Sequence, residues 1–76
     1  MLEGNQEVLL DLVRVKMPFG KYKGRLIADL PENYLVWFKS KGFPDGKIGM
    51  LLQTAYEIRL NGLDEMFVKL KQIVRT

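Results

Sequence analysis

The chain has 76 residues and a formal net charge of +3, with 47% hydrophobic and 28% charged residues. That balance fits one folded domain over residues 1–76, with about 60% of the unfolded surface buried, and excludes a disordered chain. Cysteine and histidine are both absent, which excludes disulfides, thiolate metal sites and thiol nucleophiles and removes the commonest general base.

Residues 5–13, NQEVLLDLV, predict a short helix with Asn5 as its N-cap and Glu7 in the first turn. A strand competes with it, because Val13, Val15 and Met17 alternate with Arg14 and Lys16. The compromise is a helix to about residue 14, then an extended edge piece to Phe19. Pro18 cannot donate to a sheet ladder. Gly20-Lys-Tyr-Lys-Gly24 reads as a turn, with glycine supplying positive φ, above all at Gly24. Residues 25–28, RLIA, read as its partner strand.

Pro31 opens the next helix and Gly42 closes it in a left-handed cap, with Phe43 packed on Phe38 as in a Schellman end. Asp45 caps a third helix with Ile48, Leu51, Leu52, Ala55 and Ile58 on one face. Asn61-Gly62 breaks the chain. Beyond it Leu63, Met66, Phe67, Leu70 and Val74 form an apolar stripe on a fourth helix. The predicted class is α+β, mostly helical, with a short two-stranded hairpin packed against about four helices.

The charge is unevenly spread. Residues 1–13 carry three acids and no basic residue, whereas 14–47 carry eight basic residues against three acids. Within 14–25 stand Arg14, Lys16, Lys21, Lys23 and Arg25 with no acid. Such a cluster marks a phosphate-binding surface, or a solvated hairpin whose lysines discourage edge pairing. Tyr22 between the lysines can stack on a base, and Trp37 can extend the platform. The competing role for Tyr34 and Trp37 is packing, and for Phe19 it is the core.

Nothing predicts catalysis. Only Asp64 and Glu65 are adjacent acids, and neighbours on a helix diverge. Ser40 is the only serine and has no histidine to activate it. GKYKGR lacks the Gly-Lys-Ser/Thr ending of a phosphate-binding loop. The expectation is a non-enzyme without cofactor or metal. No apolar run reaches the ~20 residues of a membrane span, and the start MLEGNQE is unlike a signal peptide. A cytoplasmic protein without a membrane partner is expected.

Residues 17–38, MPFGKYKGRLIADLPENYLVWF, resemble a known motif: Phe-Gly-Lys-Tyr-Lys-Gly, a short apolar stretch, Pro, two residues, then Tyr-Leu-x-Trp. It is similar to the small C-terminal domain of exodeoxyribonuclease X-like proteins. It is closer to a bacterial family of short, stand-alone, uncharacterised proteins labelled "putative quorum-sensing-regulated virulence factor". That family also resembles residues 42–63, GFPDGKIGMLLQTAYEIRLNGL. In the nuclease relatives, catalysis belongs to a separate upstream domain. The resemblance thus implies an accessory module, matched at Phe19, Gly20, Lys21, Tyr22, Lys23, Gly24, Pro31, Tyr34, Leu35 and Trp37.

Two functions follow. The first is a nucleic-acid-binding accessory module that uses Arg14, Lys16, Lys21, Tyr22, Lys23, Arg25 and Trp37 on a DNA or RNA backbone. The second is a protein-interaction or regulatory domain, in one form a homodimer through the stripe at 63–74. The family label links this second function to quorum-sensing-regulated virulence.

Overall fold

The computed structural model describes residues 2–75, and side chains from residue 7 to residue 75. Helices α1 (Leu2–Asp11), α2 (Glu32–Lys41), α3 (Gly46–Leu60) and α4 (Glu65–Arg75) follow in order, with a 3-10 turn, Ile27–Asp29, before α2. The predicted cap at Asn5 is corrected, since α1 begins at Leu2; the Asn5 side chain lies outside the described residues.

The α+β class and the two-stranded hairpin are overturned. The fold is helical, and the described residues contain no strand and no sheet. One antiparallel bridge, Lys16 to Leu26, stands where the hairpin was expected. The Met17 N–H donates to the Arg25 carbonyl (2.7 Å), the Gly24 N–H to the Met17 carbonyl (2.8 Å) and the Ile27 N–H to the Val15 carbonyl (3.1 Å). The ladder stops there for two reasons. Pro18 has no N–H to continue it on one side. On the other side the chain winds into the 3-10 turn, with the Asp29 N–H donating to the Leu26 carbonyl and the Leu30 N–H to the Ile27 carbonyl. Ile27, Ala28 and Leu30 are all buried, so this segment does not alternate in and out as a half-exposed strand would.

Leu12, Met17, Ile27, Leu30, Leu35, Leu51 and Leu52 are fully buried at the centre. Removing such a side chain from water stabilises by about 1.5–3 kcal/mol. The predicted α3 face is the buried one, with Leu51, Leu52, Ala55 and Ile58 inside and Ile48 half-buried. The α4 stripe divides: Phe67 and Leu70 are core, while Leu63 and Val74 are exposed.

The helix ends also depart from expectation. Gly42 has φ 101° and ψ 130°, outside the left-handed helical region. Phe43 still packs on Phe38, with ring centroids 6.4 Å apart. The Schellman pair closes α3 instead. The Gly62 N–H donates to the Arg59 carbonyl and the Leu63 N–H to the Ile58 carbonyl. Asp45 occupies the N-cap of α3 without a side-chain capping bond.

Two polar ties fix the 3-10 turn. Arg59 donates to the Ala28 carbonyl at 3.0 Å, pairs with Asp64 at 3.2 Å and lies over the Phe67 ring. Lys71 of α4 reaches Asp29 at 2.6 Å. Asp29 thus anchors α4 to this turn.

Candidate nucleic-acid interface

The motif segment folds as a loop against the start of α2. Gly20 and Gly24 have φ of +82° and +93°, conformations that L side chains rarely adopt. Gly24 meets the positive φ expected of it. Gly20 has a second constraint, since a Cβ there would lie 2.8 Å from the Tyr34 hydroxyl. Between the glycines the loop turns twice, with the Lys23 N–H donating to the Gly20 carbonyl and the Arg25 N–H to the Tyr22 carbonyl.

That turn sets Tyr22 edge-on against Tyr34, with centroids 4.7 Å apart and planes at 67°. Tyr34 lies nearly parallel to Trp37, 4° between planes and 6.3 Å between centroids. Both meet Phe38 edge-to-face, at 5.0 and 5.1 Å. These contacts follow from helix spacing: Tyr34, Trp37 and Phe38 stand at i, i+3 and i+4. Phe38 is buried and anchors the cluster. Trp37 keeps 50% of its surface exposed and Phe19 keeps 43%. Phe19 was expected in the core; the structure leaves it at the surface.

Lys21 and Arg25 bring their cationic heads over the Tyr22 ring, at 5.5 and 5.3 Å from its centroid. Tyr22 is half-buried. It therefore serves as a bracket between two cations and the Tyr34 ring, and not as a bare ring. Lys16, Lys21, Lys23 and Arg25 are exposed. Among the described residues none of the four forms an ion pair.

Arg14 is placed differently. Its guanidinium pairs with Asp11 at 2.8 Å and Glu7 at 3.1 Å, so its charge is already met. Asp11 also takes Lys47 of α3, at 2.9 Å. The Lys47 ammonium, then the Arg14 guanidinium, hold the Asp11 carboxyl below its ordinary value of 3.8. This network ties α1 to α3. Asp11 and Glu7 precede Arg14 by three and seven residues, and the turn that follows α1 brings the three side chains together.

The structure thus joins Lys21, Tyr22, Arg25 and Trp37 through Tyr34, a residue the sequence reading assigned to packing. Lys41, exposed at the end of α2, stands one helical turn beyond Trp37 on the same face. No three acidic side chains converge among the described residues. No helix there is long and apolar enough to cross a membrane.

Known proteins resemble this chain in sequence. Two curated relatives, each named "Uncharacterized protein YpeB", come from Escherichia coli strain K12 and Escherichia coli O157:H7. Each is 47% identical over 68 residues, covering 88% of this chain and 94% of the relative. No solved structure matches the chain. The family profile described as "Putative quorum-sensing-regulated virulence factor" matches residues 5–70, which hold the glycine loop, α2, α3 and the buried part of α4. Both likenesses run through the loop and its aromatic backing, and the chain belongs to that family.

Proposed function

We propose that this chain is a non-catalytic module that binds the phosphate backbone of nucleic acid through its glycine loop. One observation carries the reading: Lys16, Lys21, Lys23 and Arg25 are exposed with no ion pair among the described residues, beside exposed aromatic rings. Phosphates would supply the missing anions, and each one neutralised releases condensed counterions from the nucleic acid. The positive-φ glycines bracket Lys21 and Lys23 on one tight loop, with Arg25 directly after it and Lys16 on the bridge to Leu26. The likeness of the motif to the accessory domain of exodeoxyribonuclease X-like proteins supports the same reading.

The test is fluorescence anisotropy of a labelled DNA duplex titrated with the full chain at several salt concentrations. Three or four contacts give a log–log slope of about −2.7 to −3.6. A slope near zero, or no binding tighter than millimolar at ~50 mM salt, removes the reading.

A second reading has one observation in its favour. Leu60, Leu63, Val68 and Val74 are exposed apolar side chains on the end of α3 and on or beside α4. In that reading this surface meets a protein, in one form a second copy of the chain, in the regulatory setting that the family name describes.

A further inference from the structure

We propose that the Trp37 ring is a base-stacking platform that makes this face selective for unpaired nucleic acid, with Lys41 as the next phosphate contact along α2. The inference rests on the backbone-binding reading above and adds the state of the nucleic acid that it recognises.

The choice of Trp37 over Tyr22 follows from what each ring already touches. Tyr22 has the Lys21 and Arg25 heads over it, with Tyr34 at its edge. An incoming base would have to displace these partners. Trp37 is backed by Tyr34 and Phe38 but remains 50% exposed. The backing fixes the ring before any ligand arrives, so little side-chain freedom is lost on binding. The helix beneath it is closed locally, with the Ser40 hydroxyl donating to the Trp37 carbonyl at 2.8 Å.

Position completes the case. The Gly20–Tyr34 approach sets the basic loop against the first turn of α2. Cations then lie on the Tyr22 side of Tyr34, and Trp37 lies along α2 from it. Lys41 follows at i+4 from Trp37 and is exposed. A strand running from the loop along α2 would meet phosphate contacts, a stacking ring and then a further cation. Channels for single strands combine these same elements. In a duplex, both faces of each base are already covered, so only the phosphate contacts remain available.

The test compares three labelled probes of about 12 nucleotides at matched salt: oligothymidylate, oligouridylate and a mixed-sequence DNA duplex. Both single strands should bind at least about tenfold tighter than the duplex. Trp37→Ala should weaken single-strand binding roughly 5- to 150-fold and leave duplex affinity unchanged, with Trp37→Phe retaining most of the affinity. Lys41→Ala should reduce the single-strand salt slope by about 0.7. Circular dichroism checks that Trp37→Ala folds. If it does not, wild-type Trp37 fluorescence decides, since single strands should quench it and duplex should not. Equal binding to all three probes with no effect of Trp37→Ala would overturn the platform and leave backbone binding intact. Preference for one single strand over the other would name DNA or RNA within the same proposal. Absence of binding to every probe removes both readings.

Discussion

The Gly20 Cα and the Tyr34 hydroxyl approach so closely that a Cβ on Gly20 would sit 2.8 Å from that oxygen. The contact joins the basic loop to α2 and sets where the cations lie relative to the aromatic rings. Gly20→Ala should cost about 1–3 kcal/mol through φ strain alone, and more from the contact. In a Tyr34→Phe background the cost should shrink, because the opposing oxygen is gone. A double-mutant cycle by urea denaturation measures the difference. Equal costs in both backgrounds would show that the approach contributes nothing.

Gly24 isolates the backbone term. It has φ +93° with no atom within 4 Å of an added Cβ. Gly24→Val should destabilise by about 1–3 kcal/mol through strain, and Gly24→Asn by less, since asparagine tolerates positive φ better than a β-branched residue. Unchanged melting midpoints for both variants would contradict a strained turn.

The two glycines also show how far the sequence reached. Positive φ at Gly24, the α3 face, the chain break at Asn61-Gly62 and the Phe43–Phe38 packing all follow from local rules, and all are present. The hairpin does not follow. RLIA has strand-like residues, but burial of Ile27, Ala28 and Leu30 together requires a turn, and that is a tertiary outcome. The Schellman end was assigned to Gly42 and occurs at Gly62, because either glycine satisfies the same local pattern. In the site, the basic run was legible, but its partition was not. Arg14 belongs to Asp11 and Glu7 through a helix-end geometry, while Tyr34 joins the rings by a contact between segments that no spacing rule specifies.

Acid should expose the Asp11 network. Its carboxyl titrates lower in the folded chain than its ordinary value of 3.8. A depressed folded value means that the carboxylate's contribution is fully present above the unfolded value and fades as pH falls through the folded one. Stability should therefore drop below about pH 4, and Asp11→Asn should lose stability at neutral pH while flattening that acid limb. Denaturant titrations at pH ~3 and ~7 on both chains would settle it. Parallel acid limbs for wild type and variant would remove Asp11 from the explanation.

The α4 stripe separates core from surface. Phe67 is 5% exposed, and Phe67→Ala should cost about 3–5 kcal/mol, a large share of the stability of so small a domain. Val68, next to it, is 56% exposed, and Val68→Glu should leave both folding and sedimentation unchanged if no second copy covers it. A dimer converted to a folded monomer by Val68→Glu would instead favour the protein-interaction reading.

The most direct test of nucleic-acid binding uses the single tryptophan, which lies in the site itself. Trp37 fluorescence is followed while oligothymidylate is added at ~50 mM salt, then while salt is raised, for the wild type and for the Lys21→Ala, Lys23→Ala double variant. The expected result is saturable quenching that salt reverses, with the double variant's salt slope smaller by about 1.4. Fluorescence that stays constant to millimolar oligonucleotide would contradict Trp37 as the stacking ring, and a double variant with the wild-type salt slope would contradict the assignment of this loop as a phosphate-binding surface.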